Sequence, residues 1–118
     1  MSGTGQPQQG GVDATGIRVV VVAGTWHSMI SDALLAGAER MLEQANADYR
    51  VVRVAGAFEL PVVSKAALDT GKPVGFGVLT TDDEQQALVR AGLPESREDK
   101  GFEAADAAVR AVLALRAL

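Results

Sequence analysis

Cysteine is absent from this chain of 118 residues, and histidine occurs only once, as His27. Without thiols the chain cannot form disulfides, cysteine metal sites or a thiol nucleophile, and this composition is compatible with a cytoplasmic location. A single imidazole also excludes a metal site built from several histidines of one subunit. We therefore expect no metal.

Basic charge is scarce too, since 11 Lys and Arg stand against 15 Asp and Glu, for a net charge of -4. Nucleic-acid-binding proteins usually carry a basic excess, so we expect no nucleic-acid partner.

The apolar run at 19–23 is far shorter than the roughly 20 residues that span a bilayer, so we expect no membrane segment. Residues 1–16 lack a basic start and an apolar stretch, and they predict a mobile tail ahead of one domain at 17–118.

The remaining chain alternates between two kinds of apolar pattern. β-Branched runs predict strands at 17–23, 49–54 and 74–79, and helical spacing predicts helices after each of them. The helices are expected from Ser28 or Ser31 to Asn46, from Pro61 to about Asp69, over about 82–91, and over 101–118. This alternation predicts an α/β fold, a three-layer α/β/α sandwich around a parallel sheet, although three strands are few for that architecture.

The last predicted helix is apolar on nearly every side. Such a helix has to be covered on nearly every side, which favours burial against a neighbouring subunit. The alternative is a terminal helix packed within a monomer. A mean hydropathy of +0.12 in so small a domain also favours a homo-oligomer.

Ligands of open parallel sheets bind beyond the carboxyl ends of the strands, and three segments lie there. The third, Gly75 to Thr81, is weak evidence by itself, because glycine beside an aromatic residue is common at strand ends, which leaves two candidate segments. Trp26 follows the first strand, where its ring either stacks on a flat ligand or packs on the domain edge. The turn from Gly56 to Glu59 follows the second strand. There Glu59 either accepts hydrogen bonds from ligand hydroxyls or only complements a helix dipole.

Two cations are candidates for binding phosphate. Arg90 lies near the end of the helix after the third strand, and Lys100 lies at the start of the last helix. Either can hold a phosphate or remain a solvated surface charge. His27, beside a helix start, is more typical of a capping or surface residue than of a catalyst.

Three segments together resemble the lumazine synthase family of riboflavin biosynthesis: VVVVAGTWHSMISDALLAGA at 19–38, VVRVAGAFELPVVSK at 51–65, and a third at 71–108 that contains FGVLTT. The resemblance implies a flavodoxin-like parallel sheet of four strands. It implies a transferase that condenses 5-amino-6-(D-ribitylamino)uracil with 3,4-dihydroxy-2-butanone 4-phosphate to 6,7-dimethyl-8-ribityllumazine, without a cofactor. It further implies a cytoplasmic homo-oligomer, a homopentamer or a shell built from pentamers.

The resemblance also implies roles for particular residues. Trp26 stands where the family stacks an aromatic ring on the pyrimidine substrate. Ala57, Phe58 and Glu59 match the stretch that binds the same substrate, with Glu59 facing the ribityl hydroxyls. Phe76 matches a residue that reaches into the adjacent subunit's site.

For the phosphate, Arg90 matches the family's phosphate-binding arginine, and Lys100 matches a lysine nearby.

The sequence departs from the family between the second and third strands, because a further strand, a helix and a loop with the proton-transferring histidine have no counterpart. About three dozen residues are absent on that comparison, and His27 does not match the family histidine. The catalytic residue is therefore unknown. Either the protein lacks the stretch or the chain is interrupted between residues 64 and 70.

Two other functions stay open at this point. One is a non-catalytic ligand-binding or self-assembling protein of the same fold, inactive because the histidine loop is lost. The other is a flavodoxin or receiver domain. This last function is disfavoured, because neither a glycine-rich phosphate loop nor an acidic cluster follows the first strand.

Overall fold

A computed structural model describes residues 11–25, 28–55, 60–75, 91–93, 96 and 98–118. Two strands in this part form a parallel pair, β1 (Arg18–Gly24) and β2 (Asp48–Val54), in the register Arg18↔Asp48 to Gly24↔Val54. The prediction of parallel strands separated by a helix is confirmed. Each strand is shifted by one residue or less at its ends from the predicted range.

Helix α1 (Ser28–Gln44) connects the two strands. Its buried residues recur every three to four positions, so one face packs inward: Ala33, Gly37, Ala38, Met41 and Leu42. The helix ends where Asn46 adopts a left-handed backbone with φ of 62°, a conformation that asparagine tolerates better than most residues. Asn46 therefore ends this helix as the sequence predicts.

Helix α2 (Leu60–Asp69) runs unbroken across residues 64–69, where the sequence departs from the family pattern. None of its residues is buried, and the side chains of Val62, Val63 and Leu68 are exposed. The helix ends in a turn in which Gly71 has a φ of 80° and donates its N–H to the carbonyl of Leu68. The junction is thus helical, and among the described residues it presents an exposed apolar surface.

Helix α3 (Lys100–Arg116) packs along α1. Glycines allow this approach: a Cβ on Gly101 would lie 2.7 Å from the carbonyl carbon of Leu34 in α1. The buried residues of α3 are Gly101, Ala105 and Val109, whereas Leu115 is about half exposed. In the described part of the chain the helix is therefore buried along one side, and cover by another subunit stays a prediction.

The core lies between α1, α3 and one face of β1. It is built from Ala14, Ile17, Ala38, Met41, Leu42, Ala45, Ala105 and Val109. Ala14 belongs to the predicted tail, yet it is fully buried and donates its N–H to the carbonyl of Ala45 at 2.6 Å. The chain thus joins the core a few residues before Ile17, while residues 1–10 lie outside the described part and the tail itself stays a prediction.

The third predicted strand and the helix after it fall almost wholly outside the described residues. Of the strand, Val74 and Gly75 are described and are not in a sheet. Gly75 approaches α3 so closely that a Cβ there would lie 2.9 Å from the carbonyl carbon of Ala104. At the far end of the predicted helix, Ala91 forms an antiparallel bridge with Asp99.

The opposite face of the two strands is open in the described part of the chain. The side chain of Val20 is 50% exposed and that of Val52 is 40% exposed. A β-branched run of this kind predicts a strand covered on both faces. The described residues leave these side chains partly exposed.

Candidate functional site

The carboxyl ends of β1 and β2 are joined just before the two candidate ligand segments. Thr25, directly after β1, donates its hydroxyl to the carbonyl oxygen of Ala55, directly after β2, at 2.8 Å. Trp26 follows the first of these residues in the sequence, and Gly56 follows the second. The two segments predicted to bind the pyrimidine therefore leave the sheet from one hydrogen-bonded point.

The carbonyl oxygen of Gly24 is a second anchor at this edge. It accepts a hydrogen bond from the Ser31 hydroxyl at 2.6 Å and another from the Arg53 guanidinium at 2.8 Å. Arg53 also pairs with Asp32 in the first turns of α1 at 3.0 Å. Ser31, predicted as a possible cap of α1, instead lies inside that helix and ties it to the end of β1, because the helix begins at Ser28.

Six of the seven predicted site residues lie outside the described residues. They are Trp26, Ala57, Phe58, Glu59, Phe76 and Arg90, and His27 lies outside as well. Their roles stay predictions. Lys100 is the one candidate whose surroundings the structure describes.

The ammonium group of Lys100 lies between two carboxylates. Its Nζ is 2.8 Å from Oε2 of Glu98 and 3.6 Å from Oε1 of Glu103, and its side chain is 20% exposed. The hydrogen bond that Lys100 donates to Glu98 raises the pKa of Lys100 above its ordinary value of 10.5, against the opposing effect of burial. Lys100 is therefore a firmly charged cation, already paired before any ligand arrives.

Asp99 fixes the backbone beside Lys100. Its carboxylate accepts from the backbone N–H of Phe102, which makes it the N-cap of α3, and it forms an ion pair with Arg40 of α1. The carboxylate sits against two glycines: a Cβ on Gly92 would lie 2.6 Å from its carboxyl carbon, and one on Gly37 would overlap it. The start of α3 is thereby held to both α1 and the preceding loop.

Sequence reasoning missed the cap and the ion pairs around Lys100, because it assigned no structural role to the residues just before that lysine. An aspartate directly before a long apolar helix is a typical N-cap signal and would have identified Asp99. The spacing of three residues between Lys100 and Glu103 would have indicated their pairing. No sequence signal places Arg40 or Glu98, since both depend on how α1 and the loop pack.

The described residues contain neither a metal cluster nor a membrane-spanning helix. Among the described residues, no group of three or more His, Asp and Glu side chains is placed to hold a metal ion. Within the same ranges, no helix is long and apolar enough to cross a membrane.

A cavity of about 260 Å³ lies between the C-terminal part of α1 and the middle of α3. Gly11, Val12, Met41, Phe102, Asp106 and Arg110 are among its lining residues. None of its described lining residues is a predicted site residue.

Comparison with known proteins shows what this chain resembles. The family model of 6,7-dimethyl-8-ribityllumazine synthase matches residues 16–68 and again residues 63–116. The two matches overlap at 63–68, so these residues in α2 fit two separate places in the family pattern. Together the matches reach from the last residue of the predicted tail almost to the end of the chain.

Individual proteins that are similar to this chain carry the name of that family. The 6,7-dimethyl-8-ribityllumazine synthase of Leifsonia xyli subsp. xyli is 49% identical over 156 residues, covering 100% of this chain and 99% of the relative. That of Clavibacter sepedonicus is 47% identical over 157 residues, with 100% and 98% covered. That of Mycobacterium leprae strain TN is 43% identical over 150 residues, with 96% and 94% covered. None of these names favours the non-catalytic alternative.

The alignment lengths also give the size of the departure from the family. The alignment with the Leifsonia protein has 156 positions for a chain of 118 residues, so 38 positions carry no residue of this chain. This agrees with the expected loss of about three dozen residues. The double match at 63–68 places the junction inside α2.

Proposed function

Because this chain belongs to the 6,7-dimethyl-8-ribityllumazine synthase family, we propose that it condenses 5-amino-6-(D-ribitylamino)uracil with 3,4-dihydroxy-2-butanone 4-phosphate. The product is 6,7-dimethyl-8-ribityllumazine, an intermediate of riboflavin biosynthesis, and phosphate and water leave. The observation that carries this proposal is a match over nearly the whole chain, on both sides of the junction, at 43–49% identity to the three relatives.

The pyrimidine is proposed to bind at the joined ends of β1 and β2. Trp26 stacks on its ring, and the backbone and side chains of Ala57, Phe58 and Glu59 bind its polar groups and ribityl hydroxyls. Support comes from the hydrogen bond between Thr25 and Ala55, which brings the starts of both segments to one point. A site at the carboxyl edge of parallel strands is also where open α/β sheets generally bind ligands.

The phosphate of the second substrate is proposed to bind Arg90 and Lys100. Lys100 supports this role because its ammonium is charged and its backbone is fixed by the Asp99 cap of α3. Cations held near the leaving group stabilise the negative charge that develops on phosphate as it departs. Phe76 is proposed to reach the site of an adjacent subunit, which makes the enzyme a homo-oligomer, a pentamer or a pentamer-based shell in the cytoplasm.

The reaction depends mainly on positioning. The enzyme holds an amine against a carbonyl, and pre-positioning of two reactants contributes several kcal/mol, about 7–11 in well-oriented systems. General acid–base catalysis by a histidine contributes about 10²–10⁴-fold in rate. Since the histidine loop of the family pattern has no counterpart here, we propose a slower enzyme in which positioning and phosphate binding supply most of the rate enhancement.

The test is a two-substrate assay of the purified full chain that follows the absorbance and fluorescence of the lumazine product. We expect product only when both substrates are supplied. Glu59→Gln is expected to raise the KM for the pyrimidine, and Arg90→Met to raise the KM for the phosphate substrate. Binding of the pyrimidine without any turnover would contradict the proposed enzyme and support the non-catalytic alternative.

A further inference from the structure

Lys100 and its two carboxylate partners form a compact group that is largely shielded from water. The side chains of Lys100, Glu98 and Glu103 are 20%, 15% and 28% exposed, respectively. Charges in such a place are screened less than on an open surface, so their pairing is stronger than that of an exposed pair. The ammonium of Lys100 thus has two carboxylate partners within 3.6 Å.

These two pairings conflict with a simple role for Lys100 in binding phosphate. An incoming phosphate ester meets a lysine whose ammonium already contacts Glu98 at 2.8 Å. The lysine backbone cannot shift to a new place, because Asp99 caps the helix on one side and Gly101 abuts the backbone of Leu34 on the other. The ammonium therefore has to exchange partners by side-chain motion alone.

The two carboxylates differ in how they are held. Glu103 lies in the first turn of α3, where the helix dipole favours its negative charge. Glu98 lies before the helix, and its carboxylate makes the shorter contact with Nζ. The partner that most directly competes with a new anion for the ammonium is therefore Glu98.

We propose that Glu98 is a positioning residue that competes with phosphate for Lys100 and so promotes release of the phosphate product. A phosphate monoester or inorganic phosphate carries a charge of about -1.5 to -2 at neutral pH, which is larger than that of one carboxylate. When phosphate has separated from the reacting carbon, Glu98 takes back the ammonium. This inference rests on the proposed function, because it takes Lys100 to be part of the phosphate site.

The test measures inorganic phosphate binding to the intact protein by calorimetry, and phosphate inhibition in the two-substrate assay. The variants are Glu98→Gln, Glu103→Gln and Lys100→Met. Asp69→Asn is the matched control, since it removes a carboxylate that pairs with Lys65 on exposed α2 and changes the net charge equally. Glu98→Gln is expected to bind phosphate about three- to tenfold more tightly and to be inhibited correspondingly more, in line with loss of one competing ion pair.

The kinetic constants separate positioning from a general structural effect. Glu98→Gln is expected to lower the KM for the phosphate substrate and leave the KM for the pyrimidine unchanged, with Glu103→Gln showing a smaller change. Asp69→Asn is expected to change neither. If Glu98→Gln does not fold, Glu98→Asp, which shortens the side chain by one methylene, is expected to act in the same direction.

The outcomes distinguish this inference from the proposed function. Suppose that phosphate binds the unaltered protein and that its affinity is lower in Lys100→Met. If its affinity in Glu98→Gln is then unchanged or lower, the proposed role of Glu98 is wrong and the proposed enzyme stands. If Lys100→Met leaves phosphate binding unchanged, Lys100 is outside the site and the inference is wrong. If no variant binds phosphate and no lumazine forms, both the inference and the proposed function are wrong.

Discussion

The hydroxyl of Thr25 donates a hydrogen bond of 2.8 Å to the carbonyl oxygen of Ala55, thirty residues away in the chain. These residues directly follow two parallel strands, and the segments after them carry the residues proposed to bind the pyrimidine. This side-chain contact therefore helps to hold the starts of two loops of the proposed site together. Its loss is expected to disturb binding as well as stability.

The substitution Thr25→Val removes this hydrogen bond while keeping the shape of the side chain. We expect the free energy of unfolding to fall by about 0.5–1.5 kcal/mol, the usual net value of one intramolecular hydrogen bond. We also expect the KM for the pyrimidine to rise about threefold or more, because small misplacements of binding groups are costly. Urea unfolding and steady-state kinetics measure the two effects.

Thr70→Val is the matched control for this prediction. The Thr70 hydroxyl donates to the carbonyl of Ala67 at 2.6 Å, at the exposed end of α2 and apart from the joined strand ends. The control is expected to lose a similar amount of stability without a change in KM. Equal KM values in Thr25→Val and the unaltered protein would show that the loops do not depend on this contact.

The close packing of α1 and α3 gives a second prediction. In Gly101→Ala the new Cβ would overlap the backbone of Leu34, which cannot rotate away as a side chain can. Overpacking of this kind typically costs about 1–3 kcal/mol, and we expect the upper end or more. Denaturant unfolding should show the loss, whereas Gly11→Ala, with no atom within 4 Å of its Cβ, should be nearly neutral.

The sequence predicted local structure well, because local patterns determine it. The β-branched runs located β1 and β2 to within one residue, and Asn46 located the end of α1. Helix α2 was predicted from Pro61, whereas the structure begins it at Leu60, a difference within ordinary boundary uncertainty. These features depend on spacing and backbone preference within a few residues.

Relationships between distant segments could not be predicted in the same way. Arg40 and Asp99 are 59 residues apart, and their pairing exists only because glycines let α1 and α3 approach closely. Likewise, a valine-rich strand predicts burial on both faces but not what covers each face, and Val20 is half exposed in the described chain. Spacing alone identified Trp26, the turn from Gly56 to Glu59, Arg90 and Lys100 as candidates. Their particular roles, and Phe76, came only from the resemblance to a family, because spacing does not tell what a residue binds.

Asp99 gives a third prediction, since it combines a helix cap with an ion pair. Asp99→Ala removes both interactions and is expected to cost about 1–2 kcal/mol, within the range for N-cap removal. Asp99→Asn keeps a capping side chain and loses the charge. It is expected to cost less than 1 kcal/mol, because the pair with Arg40 is partly solvent-exposed. Equal losses in the two variants, measured by denaturant unfolding, would show that the cap contributes little.

The pH dependence of stability gives a fourth prediction, centred on Tyr49. Its hydroxyl lies 2.8 Å from Glu43 and 2.9 Å from Glu39 in α1. The hydrogen bond to Glu43, followed by burial and the bond to Glu39, raises the pKa of Tyr49 above its ordinary 10.0. The folded state therefore favours the neutral phenol. This contribution to stability is complete below the unfolded pKa and is lost as the pH rises from there through the folded pKa.

Tyr49 is the only tyrosine in the chain, so phenolate absorbance reports on it alone. The titration midpoint of the folded protein is expected above that of the protein in denaturant. Tyr49→Phe is expected to remove the tyrosine-linked part of the alkaline loss of stability. A folded-state midpoint at or below the unfolded one would contradict the assigned hydrogen bonds.

The missing histidine loop gives the last prediction, on proton transfer. An enzyme without a dedicated acid or base leaves that role to solvent, and a small added base then replaces the missing group. We expect lumazine formation to accelerate as the concentration of imidazole buffer rises at constant pH and ionic strength. The unassigned His27 tests the alternative: if His27→Asn lowers kcat about 10²-fold and buffer has no effect on the unaltered protein, His27 is the acid–base catalyst. If His27→Asn leaves kcat unchanged and imidazole accelerates both proteins equally, catalysis proceeds through positioning with solvent-borne proton transfer.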